Sequence, residues 1–232
     1  MAAWPRGRPT PEQVVAGAGV RHSGPMSSPD LTDPEVMEFG VIHVEHDDRV
    51  LRPRPWTRMQ SEWAAELAHD LPAGPFLELC TGAGQIGLLA AVLSGRRLVA
   101  VDADPWACEV ATRNAARAGV ADRVEVRAGD MRAAVGDREA YALVVADPPW
   151  VTSAEVGRFP EDPLLAIDGG TDGLAVARLC LEVAAGHLLP GGLLLVQLGD
   201  DAQADALAAG PGWVERGRRH GERGLVLLLA PA

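Results

Sequence analysis

The chain has 232 residues, which is enough for one well-buried core and argues against a second full-sized domain. Its 47% hydrophobic and 23% charged residues are typical of a globular protein, and no apolar run approaches the roughly 20 residues that a membrane helix needs. The formal net charge of −11 argues against a nucleic acid as the main partner, because phosphate backbones are held by basic surfaces. One dense basic cluster stands against this trend, and it consists of Arg49, Arg52, Arg54 and Arg58.

Cysteine usage and the start of the chain bear on its compartment. The three cysteines are odd in number and widely spaced, which indicates reduced thiols rather than a disulfide framework or a zinc site. The histidines show no metal-ligand spacing, so we predict no metal site. No secretory leader follows Met1. We therefore expect a cytoplasmic protein without a membrane partner; the sequence does not indicate its oligomeric state.

The first third of the chain divides into two regions. Residues 1–34 are rich in Pro, Gly and Ser, which predicts a disordered or loosely attached tail. Residues 35–74 are predicted to form one or two small strands, an extended proline-rich stretch at 52–57, and a helix over 58–68. Thr57 and Gln60 have the spacing of a capping box at the start of that helix.

From residue 75 to residue 232, short apolar runs alternate with helical stretches. Strands are predicted at 76–79, 98–101, 124–126, 141–145, 193–198, 213–215 and 225–229, and helices at 85–93, 105–118 and 174–188. This alternation predicts a doubly wound α/β fold with a mostly parallel, seven-stranded sheet covered by helices on both faces. No helix separates the last two strands, so we expect a hairpin that adds an antiparallel strand to the sheet edge.

The first predicted strand of this sheet runs into a glycine-rich turn. Gly82 and Gly84 permit a tight turn and let a ligand lie against main-chain N–H groups at the helix start. The predicted cofactor-binding residues of this segment are Glu78, Cys80, Thr81, Gly82, Ala83 and Gly84. A glycine turn that only packs strand against helix would show the same local pattern.

Carboxylates follow the next two strands. Asp102, followed by Ala103, ends the second strand and can accept hydrogen bonds from both ribose hydroxyls of a nucleoside. After the third strand, Asp130 can accept from an adenine amino group while Met131 packs on the ring. Together with Gly82, Gly84 and Gly87, which have the G-x-G-x-x-G spacing, Asp102 also fits a dinucleotide-binding site, so two nucleotide cofactors remain open at this point.

The fourth strand ends in Asp147, Pro148, Pro149 and Trp150. The two prolines stiffen the loop and carry no N–H, so the Asp147 carboxylate and the Pro148 carbonyl can together accept the two protons of an NH₂ group. Trp150 offers a flat face for a planar substrate. Accepting these protons raises electron density on a planar nitrogen and orients it towards a methyl sulfonium. Hydride transfer has no use for this set of residues.

With these motifs, the segment from about Arg52 to Gly199 resembles the class I methyltransferases, and within them the release-factor glutamine methyltransferases. The R-P-R-P-W-T segment at 52–57 is similar to the family's P-R-P-E-T, and the turn at 78–86 to its D-L-G-T-G-S-G-x-I. D-P-P-W at 147–150 is similar to N-P-P-Y, and 165–174 to A-L-D-G-G-x-D-G-L. The resemblance implies S-adenosylmethionine as cofactor and places the roles above on the matching residues.

Several departures from the family affect the expected substrate. Residues 1–34 cannot form the helical amino-terminal domain with which that family grips release factors, so we expect this domain to be absent. Asp147 replaces an Asn, and a carboxylate that only accepts suits an exocyclic amine at least as well as an amide. Residues 151–172 show no clear secondary structure, and we expect them to help form the substrate pocket. Within this stretch, Asp168 and Asp172 either shape a turn and cap the next helix or contact substrate directly.

The leading hypothesis is an S-adenosylmethionine-dependent methyltransferase that acts on a planar nitrogen of a protein side chain or a small molecule. The nearest alternative is the same reaction on a base amino group of RNA or DNA. A NAD-dependent oxidoreductase is a distant alternative, and a binding protein without catalysis is a further one.

Overall fold

A computed structural model describes residues 34–232, so the tail predicted for residues 1–34 lies outside the described residues apart from Pro34. The described chain opens with an antiparallel hairpin of β1 (Glu35–Phe39) and β2 (Ile42–His46). A 3-10 turn at Pro55–Thr57 leads directly into α1 (Arg58–Leu67). These elements match the strands and the helix predicted between residues 35 and 74, whereas the division of the chain into three regions stays a prediction.

The capping box predicted at the start of α1 is wrong. Thr57 has helical backbone angles (φ −72°, ψ −8°), because the preceding 3-10 turn already supplies the helix start. The Thr57 hydroxyl donates to the Arg54 carbonyl at 2.8 Å instead of accepting from the helix. Gln60 is buried and donates to the carbonyl of Ala146 at 2.9 Å, so it ties α1 to the central sheet.

All seven predicted strands of the main sheet are present. They are β3 (Phe76–Leu79), β4 (Leu98–Asp102), β5 (Val124–Ala128), β6 (Tyr141–Ala146), β7 (Leu188–Leu198), β8 (Trp213–His220) and β9 (Leu225–Pro231). The order is β5-β4-β3-β6-β7-β9-β8, with β3 to β7 parallel and β9 antiparallel to both of its neighbours. The fold prediction is confirmed, except that the antiparallel strand β9 lies inside the sheet and β8 forms the edge.

Helices cover both faces of this sheet. They are α2 (Gln85–Ser94), α3 (Pro105–Arg117), α4 (Met131–Ala134), α5 (Leu164–Ile167), α6 (Ala175–His187) and α7 (Asp201–Ala208). The three helices predicted in this region correspond to α2, α3 and α6, whereas α4, α5 and α7 are too short to produce clear periodicity. The start of α7 carries a local signal that our prediction overlooked, since the Asp200 side chain accepts from the N–H of Gln203.

The period-two alternation of the strands divides the core into two layers. Leu143 and Val145 of β6 pack in the layer under α1, α2 and α3, while Val144 and Ala146 pack in the layer under α6 and α7. Buried apolar side chains therefore fill both layers. The carboxyl ends of the parallel strands lie together at one edge of the sheet. Within residues 34–232, no helix is long and apolar enough to cross a membrane.

Candidate active site

The carboxyl ends of β3 to β6 border a cavity of about 380 Å³. A cavity of this size falls in the range of roughly 300–1,000 Å³ that small-molecule and cofactor sites occupy. Its walls come from the segment before α1, the glycine turn, the ends of β4, β5 and β6, the region around α5, and α6. Doubly wound folds usually bind their ligands at the carboxyl ends of the parallel strands, at the point where the strand order reverses.

The glycine turn is held from below by Glu78. One Glu78 oxygen accepts from the N–H of Gly87 at 2.7 Å, and the other accepts a short hydrogen bond from the Thr81 hydroxyl. Glu78 is almost fully buried, and this burial raises its pKa to about 8. Glu78 therefore lies behind the turn rather than in the cavity wall. Cys80, at the start of the turn, has a left-handed φ of 60°, unusual for a residue other than glycine.

Asp102 at the end of β4 faces the cavity and hydrogen-bonds to the glycine turn. Its Oδ2 accepts from the N–H of Gly82 at 2.8 Å, and its Oδ1 accepts from the N–H of Asp104 at 2.9 Å. Each carboxylate oxygen has a second lone pair, so both can accept from a ligand hydroxyl as well. Burial raises the pKa of Asp102 above its ordinary value, against the lowering effect of these N–H donors.

Asp130 and Met131 stand at the start of α4 and contribute to the same wall. The Asp130 side chain accepts from the Arg132 backbone N–H at 2.9 Å and from its guanidinium at 2.6 Å. These bonds lower the pKa of Asp130 to about 2, so it is a carboxylate at neutral pH. Its orientation is fixed by its neighbour, and Met131 supplies an apolar surface beside it.

Asp147 at the end of β6 is the second carboxyl that faces the cavity from the sheet. Burial raises its pKa to about 7, and no hydrogen bond or ion pair from the described residues offsets this effect. A carboxyl with a pKa in this range can accept a proton or an N–H group from a ligand near neutral pH. Pro149 lies in the wall beside it, while Pro148 is buried behind the wall.

The predicted site residues divide into two groups. Those in the cavity wall are Cys80, Thr81, Gly82, Asp102, Ala103, Asp130, Met131, Asp147 and Pro149; those outside it are Glu78, Ala83, Gly84, Pro148 and Trp150. Ala83 is fully buried, and Gly84 is the cap residue of α2. The Trp150 ring packs so tightly on Gly199 that no side chain would fit there. These five residues support the site from behind, and the role of Trp150 as a stacking face stays a prediction.

The stretch 151–172 does contribute to the cavity, through Pro163, Leu165 and Ala166. It is not without structure, since it contains a 3-10 turn at Val156–Arg158 and α5. The Nη2 atom of Arg54 donates to both carboxylate oxygens of Asp162 at 2.7 Å, and this ion pair ties the stretch to the segment before α1. The cavity is thus closed by two segments that are far apart in the chain.

The acidic residues of this stretch shape the turn. Asp168 accepts from the Ser153 hydroxyl at 2.7 Å and from the N–H of Gly170. Asp172 accepts from the N–H of Leu174 and pairs with Arg178, although α6 itself begins one residue later. A side chain at Gly169 would collide with the Pro149 carbonyl, so the turn packs directly against the segment 147–150.

Some wall residues were not predicted. They are Arg49, Val50, Leu51, Gln85, Val101, Asp104, Ala107, Gly129, Arg132, Val176 and Leu179. The Arg49 guanidinium lies 3.3 Å from the centre of the Trp106 ring, and Asp47 hydrogen-bonds to both. Gln85 directly follows Gly84, and this position next to the glycine turn could have identified it as a wall residue.

Comparison with curated proteins points to methyltransferases. A family model described as "Conserved hypothetical protein 95" matches residues 46–159. The ribosomal protein uL3 glutamine methyltransferase of Bordetella pertussis is 36% identical over 162 residues, which cover 67% of this chain and 54% of that protein. The release factor glutamine methyltransferase of Moorella thermoacetica is 38% identical over 169 residues, covering 71% and 59% respectively. The chain thus spans little more than half the length of these curated relatives.

Solved structures agree on the fold. An RNA methyltransferase from Salinibacter ruber, determined in complex with S-adenosyl-L-homocysteine, has a TM-score of 0.53 and 22% identity, covering 78% of this chain and 94% of that chain. The chain therefore has the class I methyltransferase fold, and in sequence it resembles the glutamine methyltransferases of release factors and of ribosomal protein uL3.

Proposed function

We propose that this chain is an S-adenosylmethionine-dependent methyltransferase whose acceptor is the side-chain amide nitrogen of a glutamine in a protein. The observation that carries this proposal is the placement of Asp102 and Asp147 on one cavity wall, at the ends of β4 and β6. Asp102 would accept hydrogen bonds from the ribose hydroxyls of a nucleoside. Asp147 is a carboxyl without a hydrogen-bond partner among the described residues, and two prolines follow it. The curated relatives methylate glutamine, and they supply the nature of the acceptor.

The residues of the cavity fit the proposed cofactor. Four aspartates, Asp102, Asp104, Asp130 and Asp147, line the walls and suit a ligand that carries a sulfonium cation. Gln85 is a further polar residue of the wall, and its side-chain oxygen is buried without a hydrogen-bond partner among the described residues. Asp102 would hold the ribose, and Asp130 with Met131 the adenine. When bound, the cofactor supplies an activated methyl group on sulfur.

Asp147 carries the chemistry on the side of the acceptor. Its carboxylate would accept an N–H group of the amide and turn the nitrogen lone pair towards the methyl group, whereas Pro148, whose carbonyl was predicted as the second acceptor, is buried behind the cavity wall. A methylated amide nitrogen would have to lose one proton, for which Asp147 would be the neighbouring base. A pKa of about 7 suits a group that accepts a proton near neutral pH.

The base amino group of a nucleic acid is the second candidate acceptor, favoured by the Asp147 carboxylate in place of the family's Asn. Electrostatics weigh against it. Each residue of the basic cluster that the sequence contains is paired with a carboxylate, namely Arg49 with Asp47, Arg52 with Glu35, Arg54 with Asp162 and Arg58 with Glu62. A surface neutralised in this way offers little attraction to phosphates.

The compartment follows from the same proposal. Cys80, Cys108 and Cys180 are free thiols, and a translation factor or ribosomal protein as substrate would be met in the cytoplasm. The spacing of the glycine turn also fits a dinucleotide cofactor, but the curated relatives are methyltransferases. We therefore do not propose an oxidoreductase activity for this chain.

The test is transfer of labelled methyl from S-adenosylmethionine into cell extract that has been separated into protein, nucleic acid and small molecules. Label in protein, recovered as N5-methylglutamine after digestion, is the expected result. Label that is lost on RNase treatment would replace the glutamine acceptor with a base amino group. Cofactor binding by calorimetry without label in any fraction would contradict the catalytic proposal.

A further inference from the structure

Gln60 is a fully buried polar side chain on the inner face of α1, and it contacts the last residue of β6. Its Nε2 atom donates to the Ala146 carbonyl at 2.9 Å and to the Leu195 carbonyl at 3.2 Å. Its Oε1 atom accepts no hydrogen bond from residues 34–232. Because an amide is costly to bury where an apolar side chain could pack, the two bonds of Nε2 are what glutamine contributes at this position.

The Ala146 carbonyl belongs to the peptide group that leads into Asp147. A peptide group is planar, so the carbonyl oxygen of Ala146 is rigidly connected to the nitrogen and the Cα atom of Asp147. On the other side of Asp147, the ring of Pro148 fixes its own φ and restricts the backbone angles of the residue before it. Gln60 and Pro148 therefore constrain the backbone of Asp147 from both sides.

The Asp147 side chain has no hydrogen bond of its own that would direct it. In the described part of the chain, no donor bonds to its carboxyl, whereas two N–H groups hold the carboxyl of Asp102. The direction in which Asp147 faces the cavity thus depends on its backbone. A group that holds this backbone also sets the angle between the carboxylate and the acceptor nitrogen, on which proton acceptance depends.

We infer that Gln60 is a positioning residue for methyl transfer, which holds the backbone at Ala146 so that the Asp147 carboxylate faces the acceptor nitrogen. The inference rests on the proposed function, because Asp147 is the group on the acceptor side of that reaction. Gln60 is not part of the cavity wall, so it touches neither the cofactor nor the acceptor. We therefore expect it to affect the rate of transfer rather than the binding of either substrate.

Gln60→Met tests this role, because it removes the donor at nearly equal side-chain length. The maximal rate of labelled methyl transfer into the protein fraction of cell extract should fall roughly tenfold, since a misplaced reacting group slows the chemical step. The Kd for S-adenosylhomocysteine, measured by calorimetry, should stay within about twofold of the wild-type value. The concentration of the protein fraction that gives half the maximal rate should change equally little.

Ser61→Ala is the matched control at the next position of the same helix. Ser61 is also fully buried, and its hydroxyl donates to the Ile86 carbonyl at 2.9 Å, so it ties α1 to α2 instead of to the strand before Asp147. This variant loses a buried hydrogen bond of α1 but should keep the maximal rate within about twofold. An equal fall of the rate in both variants would show that loosening α1 is enough to slow transfer, which would overturn the inference.

A double-mutant cycle with Asp147 tests the route of the effect. If Gln60 acts through Asp147, adding Gln60→Met to Asp147→Ala should change the remaining rate by less than about twofold, although the same change slows the wild type roughly tenfold. A further fall of roughly tenfold in the double variant would mean that the two residues act independently. The inference would then be wrong.

The outcomes separate this inference from the proposed function. If the wild-type chain binds S-adenosylhomocysteine but transfers no methyl group to the protein fraction, the proposed function fails and the Gln60 inference fails with it. If the wild type transfers methyl groups and Gln60→Met keeps the wild-type rate or loses affinity for S-adenosylhomocysteine, the proposed function stands and the Gln60 inference is overturned.

Discussion

At the scale of single residues, the two carboxyls of the cavity wall differ in their surroundings and therefore in their chemistry. Asp102 is fixed by N–H donors from Gly82 and Asp104, as a binding group should be. Asp147 has no donor from the described residues, and burial alone sets its pKa near 7. Asp102, which is held by two N–H donors, suits ribose binding. Asp147, which has no donor, suits proton acceptance.

Asp147 predicts a pH dependence of turnover. Because burial raises its pKa to about 7, the ionised, accepting form increases as pH rises. We expect kcat of the wild type to rise roughly tenfold between pH 6 and pH 8. Asp147→Asn should flatten this rise, since the amide oxygen accepts at every pH, whereas Asp147→Ala should lower kcat by about 100-fold or more with little change in cofactor Kd. An unchanged rise in Asp147→Asn would assign the titration to another group.

At the scale of elements, Asn114 of α3 joins three parts of the molecule. Its side chain is fully buried, accepts from the N–H of Glu45 in β2, and donates to the carbonyls of Glu45 and Ala83. The hairpin of β1 and β2 is thereby tied to the glycine turn through one amide. Arg113 and Arg117 add ion pairs to Glu45 at the surface.

Removing this amide should destabilise the chain. Asn114→Ala leaves three buried backbone groups without partners, and we expect a loss of about 3 kcal/mol in the free energy of unfolding together with weaker cofactor binding. The matched control is Arg113→Ala, which breaks a partly exposed ion pair and should cost less than about 1 kcal/mol. Urea unfolding of both variants measures the difference, and equal losses would contradict the bridging role of Asn114.

At the scale of the whole molecule, the buried carboxyl of Glu78 couples folding to pH. The folded chain keeps this proton up to about pH 8, whereas an ordinary glutamate releases it near 4.5. Between these values the folded state binds more protons than the unfolded state, so the contribution of Glu78 to stability falls as pH rises. The loss between pH 6 and pH 8 amounts to about 2 kcal/mol from this group.

Glu78→Gln should remove that part of the pH dependence. The amide has no proton to release, and its oxygen and nitrogen can still bond to Gly87 and Thr81. We expect the fall in unfolding free energy from pH 6 to pH 8 to shrink by about 2 kcal/mol relative to wild type, measured by urea unfolding. The exposed Glu125→Gln serves as control and should keep the wild-type fall. The same fall in both variants would show that Glu78 does not titrate in this range.

The sequence by itself determined the main sheet, its long helices, and the wall residues Gly82, Asp102, Asp130 and Asp147. Each of these has a local signal, either an apolar run of the right period or a polar residue directly after a strand. The tertiary structure decided the direction of the Trp150 ring, the placement of Glu78 behind the turn, and the burial of Gln85 without a partner. It also decided the ion pair between Arg54 and Asp162, 108 residues apart, which joins two segments that border the cavity. Such contacts depend on how distant segments pack, and no local pattern of residues encodes that packing.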